Sequence, residues 1–260
     1  MTVDGVSLTG YCVDDVVVYL DSYLQPRLIP DDPRALNGLQ VSNSGRLGLI
    51  AAAVDACQAT IDAAAARGAG LLVVHHGLFW GGLEAVTGLH GRRLRKLIQS
   101  DVALYSAHLP LDCHPEVGNN PVLARSLGIQ GLVPFGEYEG YRIGVMGELS
   151  LRRDHLVSAV ARLLETAPRL LATGPEQVSR AAVVTGAGAA YITEAKEAGA
   201  DTLITGEGPH HSYFDAEELG VNVIYAGHYA TETVGVKALA AHLSARFQVP
   251  WEFLDHPTGL

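Results

Sequence analysis

Short apolar runs alternate with helix-forming stretches along this chain, and the alternation occurs twice. In the first half "LGLIAAAVD" (47–55) reads as a strand ending at an aspartate, and the Ala-rich "QATIDAAAARGAG" (58–70) as a helix closed by glycines. "LLVVHH" (71–76) is a second strand, "LRKLIQSD" (94–101) the tail of another helix, and "VALYSAH" (102–108) a third strand. In the second half "RAAVVTGAG" (180–188) is a strand with a glycine turn, and "AYITEAKEAGAD" (190–201) is a helix. "TLITGEG" (202–208) is a strand, "DAEELG" (215–220) a helix end, and "VNVIYAGH" (221–228) another strand. This order predicts an α/β fold with at least part of each sheet parallel. Upstream, residues 12–24 read as a helix, "QPRLIPDDP" (25–33) as a proline-rich loop, and "NGLQV" (37–41) as a turn leading into a strand. Between the halves a strand pair precedes a helix over 153–165.

The two halves compare as a repeat. A shift of 131 positions pairs Ile61 with Ile192, Gly68 with Gly199, and His76 with Glu207. A shift of 120 pairs Tyr105 with Tyr225, His108 with His228, and Asp112 with Glu232. The expectation is two related α/β lobes forming one tightly coupled unit. The first covers residues 1–130 and takes in the C-terminal segment if it is discontinuous; the second covers 131–260.

A hydrophobic fraction of 48% over 260 residues provides an ample core. The net charge of −10 disfavours non-specific nucleic-acid binding, and "GRRLRK" (91–96) reads as a solvated helix face. Cys12, Cys57 and Cys113 form no C-x-x-C pair and imply neither a disulfide framework nor a Cys-zinc site. "MTVDGVSLTG" shows no basic and apolar leader pattern, and no apolar run reaches the ~20 residues of a membrane span. A cytoplasmic location without membrane partners is the expectation.

The chemistry gathers at strand ends. "LLVV" runs into His75 and His76. "VALYSA" runs into His108, with Asp112 four residues later, and "VIYAG" runs into His228, with Glu232 four later. Ligands of open α/β sheets collect beyond the carboxyl ends of the strands. Imidazole and carboxylate together suit zinc, iron, manganese and related divalent ions. Four histidines and two carboxylates exceed the needs of one tetrahedral ion, whereas two ions ~3.5–4 Å apart would use them all. Adjacent strand residues point to opposite faces, so His75 and His76 are each expected to reach a different ion. In "GEGPHHSYFD" (206–215) Glu207 stands at the repeat position of His76, and His210 and His211 begin a helix. These three are candidates for proton transfer, substrate contact or support of the metal ligands. No phosphate-cradling loop or nucleophile elbow is present.

"NGLQV", "HHGLFW", "SAHLPLD" with "GNNPVLA", and "TGEGPHH…AGHYATE" resemble, in the same order, the Nif-three-like dinuclear metal-centre family. Its members are often labelled GTP cyclohydrolase I type two homologues. The resemblance implies a two-lobed fold, a dinuclear centre between the lobes, and a toroidal homohexamer. The implied ligands are His75, His76, His108, Asp112, His228 and Glu232. The expected function is a metal-dependent hydrolase acting on GTP or a phosphoester, with Glu207 and His211 as the catalytic candidates. The alternative is a non-catalytic, ring-shaped metal-binding or regulatory protein.

Overall fold

The computed structural model describes residues 10–260, so the leader reading of "MTVDGVSLTG" falls, but for its last residue, outside the described residues. In chain order the elements begin with α1 (Val13–Leu24), β1 (Gly38–Val41), β2 (Ile50–Asp55), α2 (Gln58–Ala66), β3 (Leu71–His76), α3 (Gly88–Gln99), β4 (Ala103–Ser106) and α4 (Leu109–Asp112). There follow α5 (Asn119–Ser126), β5 (Gln130–Tyr138), β6 (Tyr141–Arg152), α6 (Arg153–Leu164), β7 (Arg169–Leu171), β8 (Gln177–Val184) and α7 (Ile192–Glu197). The chain closes with β9 (Thr202–Thr205), α8 (Ser212–Leu219), β10 (Asn222–Tyr225), α9 (His228–Phe247) and β11 (Trp251–Phe253). No helix among the described residues is long and apolar enough to cross a membrane.

Two compact units emerge. Unit 1 runs to Leu111 and takes up Val236–His256. Its sheet has the strand order β1-β4-β3-β2-β11, with β1 antiparallel to β4 and the remaining pairs parallel. The parallel strands β2, β3 and β4 are buried along almost their whole length, as the uninterrupted apolar runs require. Ala53, Ile61, Leu72, Val74, Leu97 and Leu104 belong to its core. The Ala-rich helix α2 needs little width, so Ile61 and Ala64 reach that core from one face.

Unit 2 comprises Asp112–Gly235 and Pro257–Leu260. Its sheet has the order β5-β6-β8-β9-β10-β7. Strands β8, β9 and β10 are parallel, while the β5–β6, β6–β8 and β10–β7 pairs are antiparallel. Leu123, Ile129, Leu156, Val178, Val183 and Ile204 belong to its core.

The duplication is visible as topology. From one edge, β7-β10-β9-β8 repeats β1-β4-β3-β2: one antiparallel edge strand beside three parallel strands. The compact units divide at 111/112, 235/236 and 256/257. Helix α5 carries Leu123 and Ala124 into the core of unit 2, which draws residues 112–130 into that unit. Strand β11 pairs with β2, which returns the C-terminal segment to unit 1. Strand β2 begins at Ile50 instead of Leu47, and α2 ends at Ala66 instead of at the glycines.

Candidate metal-binding site

Three imidazoles gather at the carboxyl-end rim of the sheet of unit 1. His75 and His76 are the last two residues of β3, and His108 stands two residues beyond β4. One ligand atom from each of His75, His76 and His108 lies within 4.8 Å of the others. The alternation rule predicts divergence for His75 and His76, yet their ring centroids are 4.6 Å apart. The rule governs the Cα–Cβ direction. At a strand end the rings are free to swing toward the rim, where hydrogen bonds then select their orientation.

Each ring is held by its Nδ1. His75 is fully buried, and its Nδ1 lies 3.0 Å from the carbonyl oxygen of Ala107, in the residue before His108. A carbonyl only accepts, so Nδ1 carries the proton and Nε2 presents the lone pair a metal needs. His76 Nδ1 donates to Asp55 Oδ1 at 2.9 Å. That bond follows from sheet register, because Asp55 is the Cα partner of His76 across β2 and β3. His108 Nδ1 donates to Asp31 Oδ1 at 2.6 Å. Carboxylate and carbonyl partners on Nδ1 are how metal-binding histidines are usually oriented.

A further layer fixes Asp31 and the turn after His76. Asn37 Nδ2 donates to Asp31 Oδ2 at 2.7 Å, and Asn37 Oδ1 accepts from the His108 backbone N–H at 2.8 Å. Burial works against the Asp31 charge, but the His108 contact and the bonds from Asn37 and the Asp32 backbone outweigh it. Its carboxyl therefore stays below the usual carboxylate range. Gln40 Oε1 accepts from the Leu78 N–H at 2.8 Å. A Cβ on Gly77 would meet the Gln40 amide nitrogen at 2.2 Å, so a side chain there would push the Gln40 amide from its bonds to Leu36 O and the Leu78 N–H. "NGLQV" thus acts as scaffold for the histidine rim. Trp80 braces the outer side: its ring lies edge-on to His108 at 5.0 Å and to His76 at 6.0 Å, and its Nε1 donates to Gly77 O at 3.1 Å.

Unit 2 holds a second group. His228 opens α9, and its Nε2 lies 3.1 Å from Oε1 of the buried Glu232 one turn on. Its Nδ1 donates to Glu207 Oε1 at 2.7 Å, just beyond β9. Glu207 thus stands where the repeat puts His76 and touches the histidine equivalent to His108. The hydrogen bond to Glu232 raises the His228 pKa against the opposing effect of burial, and Glu207 adds to the rise, to about 9. Gly186, in the turn after β8, has φ +64°, and a Cβ there would stand 2.4 Å from Glu232 Oε1. Only glycine suits both the backbone and the space. Asp112 is buried, and its Oδ1 accepts from Asn119 Nδ2 at 2.8 Å and Thr185 Oγ1 at 3.2 Å.

The six expected ligands therefore fall into a histidine triad in unit 1 and the residues His228, Glu232 and Asp112 in unit 2. His211 is exposed at the start of α8, and its ring makes none of the hydrogen bonds described above. His210 packs edge-on against Phe214 at 5.7 Å. Asp31, Asn37, Gln40, Asp55 and Trp80 were not singled out by sequence reasoning as site residues. Asp55 was marked only as the end of its strand, and Asn37, Gln40 and Trp80 only as members of the "NGLQV" and "HHGLFW" motifs. Three imidazoles with fixed tautomers, backed by two carboxylates, fit a borderline divalent cation such as zinc or iron.

Two outcomes follow from this geometry. Asp31→Asn is expected to weaken metal binding by about 10–100-fold in competition titrations while the circular dichroism spectrum is unchanged; unaltered affinity would show that the His108 contact has no orienting role. In the metal-free protein His228 has a folded pKa above its ordinary 6.5, so its contribution to stability is complete below 6.5 and lost as pH rises through about 9. Imidazole NMR signals are expected to titrate near that upper value and to move down in Glu232→Gln. An unmoved titration contradicts the pairing.

The chain matches the Duf34/NIF3 (NGG1p interacting factor 3) family over residues 11–258. It is 47% identical over 266 residues to a protein of Deinococcus radiodurans called GTP cyclohydrolase 1 type 2 homolog, with 100% of each chain covered. A Pyrococcus abyssi protein of the same description is 47% identical, covering 95% of this chain and 99% of its own. Among solved structures, TTHA1606 from Thermus thermophilus is similar with a TM-score of 0.89 at 43% identity, covering 96% of this chain and 100% of its own. Protein ybgI, described as of unknown function, has a TM-score of 0.87 at 36% identity over 96% of this chain and 100% of its own. With the histidine rim, the repeated topology and these matches together, the chain belongs to the Duf34/NIF3 family.

Proposed function

We propose that this protein binds divalent metal at His75, His76 and His108 and uses it for hydrolysis. The observation that carries the reading is the triad itself: three ring nitrogens gathered within 4.8 Å, each ring held through Nδ1. His228, Glu232 and Asp112 supply the remaining ligands of a two-ion centre in this proposal. When bound, such ions lower the pKa of a coordinated water and polarise the bond under attack.

The chain's own residues have assignable tasks. Asp31 and Asp55 orient His108 and His76 and offset the charge of a cation. Glu207 positions His228, and its contact with that ring gives it the shorter path to a proton-handling role. His211, exposed at the head of α8, is assigned to meet the substrate. The relatives' description as GTP cyclohydrolase 1 type 2 homologs supports GTP as the first substrate to try, followed by phosphoesters. A cytoplasmic toroidal homohexamer belongs to the same reading, and light scattering reports the number of chains.

Purified protein loaded with zinc, iron or manganese is to be assayed against GTP and a phosphoester panel. The expected result is two ions per chain and turnover that chelation abolishes and His108→Ala lowers by at least about 100-fold. Two bound ions without turnover on any substrate would overturn the hydrolase reading and favour a metal-holding assembly. No bound ion would overturn the metal reading as well.

A further inference from the structure

Unit 2 contains a cavity of about 600 Å³ between α5, the β5–β6 hairpin and the segment after Asp112. None of the proposed metal ligands lines it. Its volume falls in the range of small-molecule sites. Carbon dominates the walls, through Pro121, Val133 and Tyr141 among others. Two of these are large apolar groups left exposed, Val133 at 41% and Tyr141 at 40%.

Two arginines line the same cavity, and they differ in charge balance. Arg142 is neutralised by Glu194 at 2.6 Å and Glu137 at 3.2 Å. Arg125 forms no ion pair among the described residues. Its Nη1 donates to Pro115 O and its Nη2 to Glu116 O, both at 2.8 Å. Backbone carbonyls hold the guanidinium in place without cancelling its charge. The cavity thus joins an apolar body to one fixed, uncompensated cation, an arrangement that selects an anion with an apolar part.

We propose that this cavity binds a small amphipathic anion. An apolar ring or short chain lies among Pro121, Val133 and Tyr141, and one carboxylate, sulfonate or phosphate meets Arg125. The proposal uses no metal ligand, so it stands or falls apart from the hydrolase reading. Cys113, on the cavity wall, provides an internal reporter.

The probe is 8-anilinonaphthalene-1-sulfonate, with uncharged N-phenyl-1-naphthylamine as its comparison, each titrated by fluorescence into the full chain. The sulfonate is expected to bind saturably, about one per chain, and to weaken by about 10-fold or more in Arg125→Gln. Arg125→Lys should retain most of the affinity, and the uncharged probe should be indifferent to both changes. Bound sulfonate should also slow iodoacetamide alkylation of Cys113, read by peptide mass spectrometry, while Cys12 and Cys57 react as before. Equal sulfonate affinity in Arg125→Gln would overturn the proposal, as would unchanged alkylation of Cys113. Concentration-dependent self-association that shields Cys113 and excludes the probe would also overturn it, by assigning the cavity to a second copy of the chain.

Discussion

A carbonyl oxygen has no proton to give, so the 3.0 Å contact between His75 Nδ1 and Ala107 O determines which nitrogen of a fully buried imidazole can bind a metal. The site of unit 1 depends on this constraint and its two counterparts at Asp55 and Asp31. They follow from the fold's own geometry. Strand β4 lies beside β3, which brings the Ala107 carbonyl to His75. The β2–β3 register sets Asp55 opposite His76. Only the third support, from Asp31, comes from a loop, and Asn37 holds that loop to the backbone of His108. Orientation is thus built in without a cation, which would lessen the ordering cost of binding one.

Unit 2 applies the same strand plan to a different charge balance. A carboxylate, Glu207, occupies the strand end that His76 takes in unit 1, and a second carboxylate, Glu232, lies one helical turn beyond His228. Together they keep an imidazole protonated to about 9 without metal. A metal bound at His228, as proposed, would have to displace that proton, which would couple its occupancy to pH. Glycine at 186 lets the backbone lie against the Glu232 carboxylate, a closeness that any side chain would prevent. The two halves therefore share topology while differing in the side chains set on it.

Much of this was legible in the sequence because it is local. Apolar runs that end in histidine revealed both the parallel strands and the candidate ligands, and the paired shifts revealed the duplication. What was hidden depends on long-range contacts. Asp31 meets His108 across 77 positions, and nothing around "PDDP" announces it. Asn37 and Gln40 looked like turn and strand residues because their hydrogen bonds are tertiary. The three-residue strands β7 and β11 carry too little pattern to register, and without β11 the return of the chain to unit 1 could be raised but not located. The alternation rule fixes only the Cα–Cβ direction of His75 and His76, and the bonds to Ala107 and Asp55 that set where their rings turn are long-range.

The central claim is that the triad holds a divalent ion through Nε2 while Nδ1 keeps its protein partners. Anomalous diffraction from crystals of the metal-loaded protein tests this directly. The account predicts an anomalous peak at bonding distance from Nε2 of His75, His76 and His108, with the contacts to Ala107, Asp55 and Asp31 retained. The absence of a peak at the triad, or coordination through Nδ1 with those contacts broken, would contradict it.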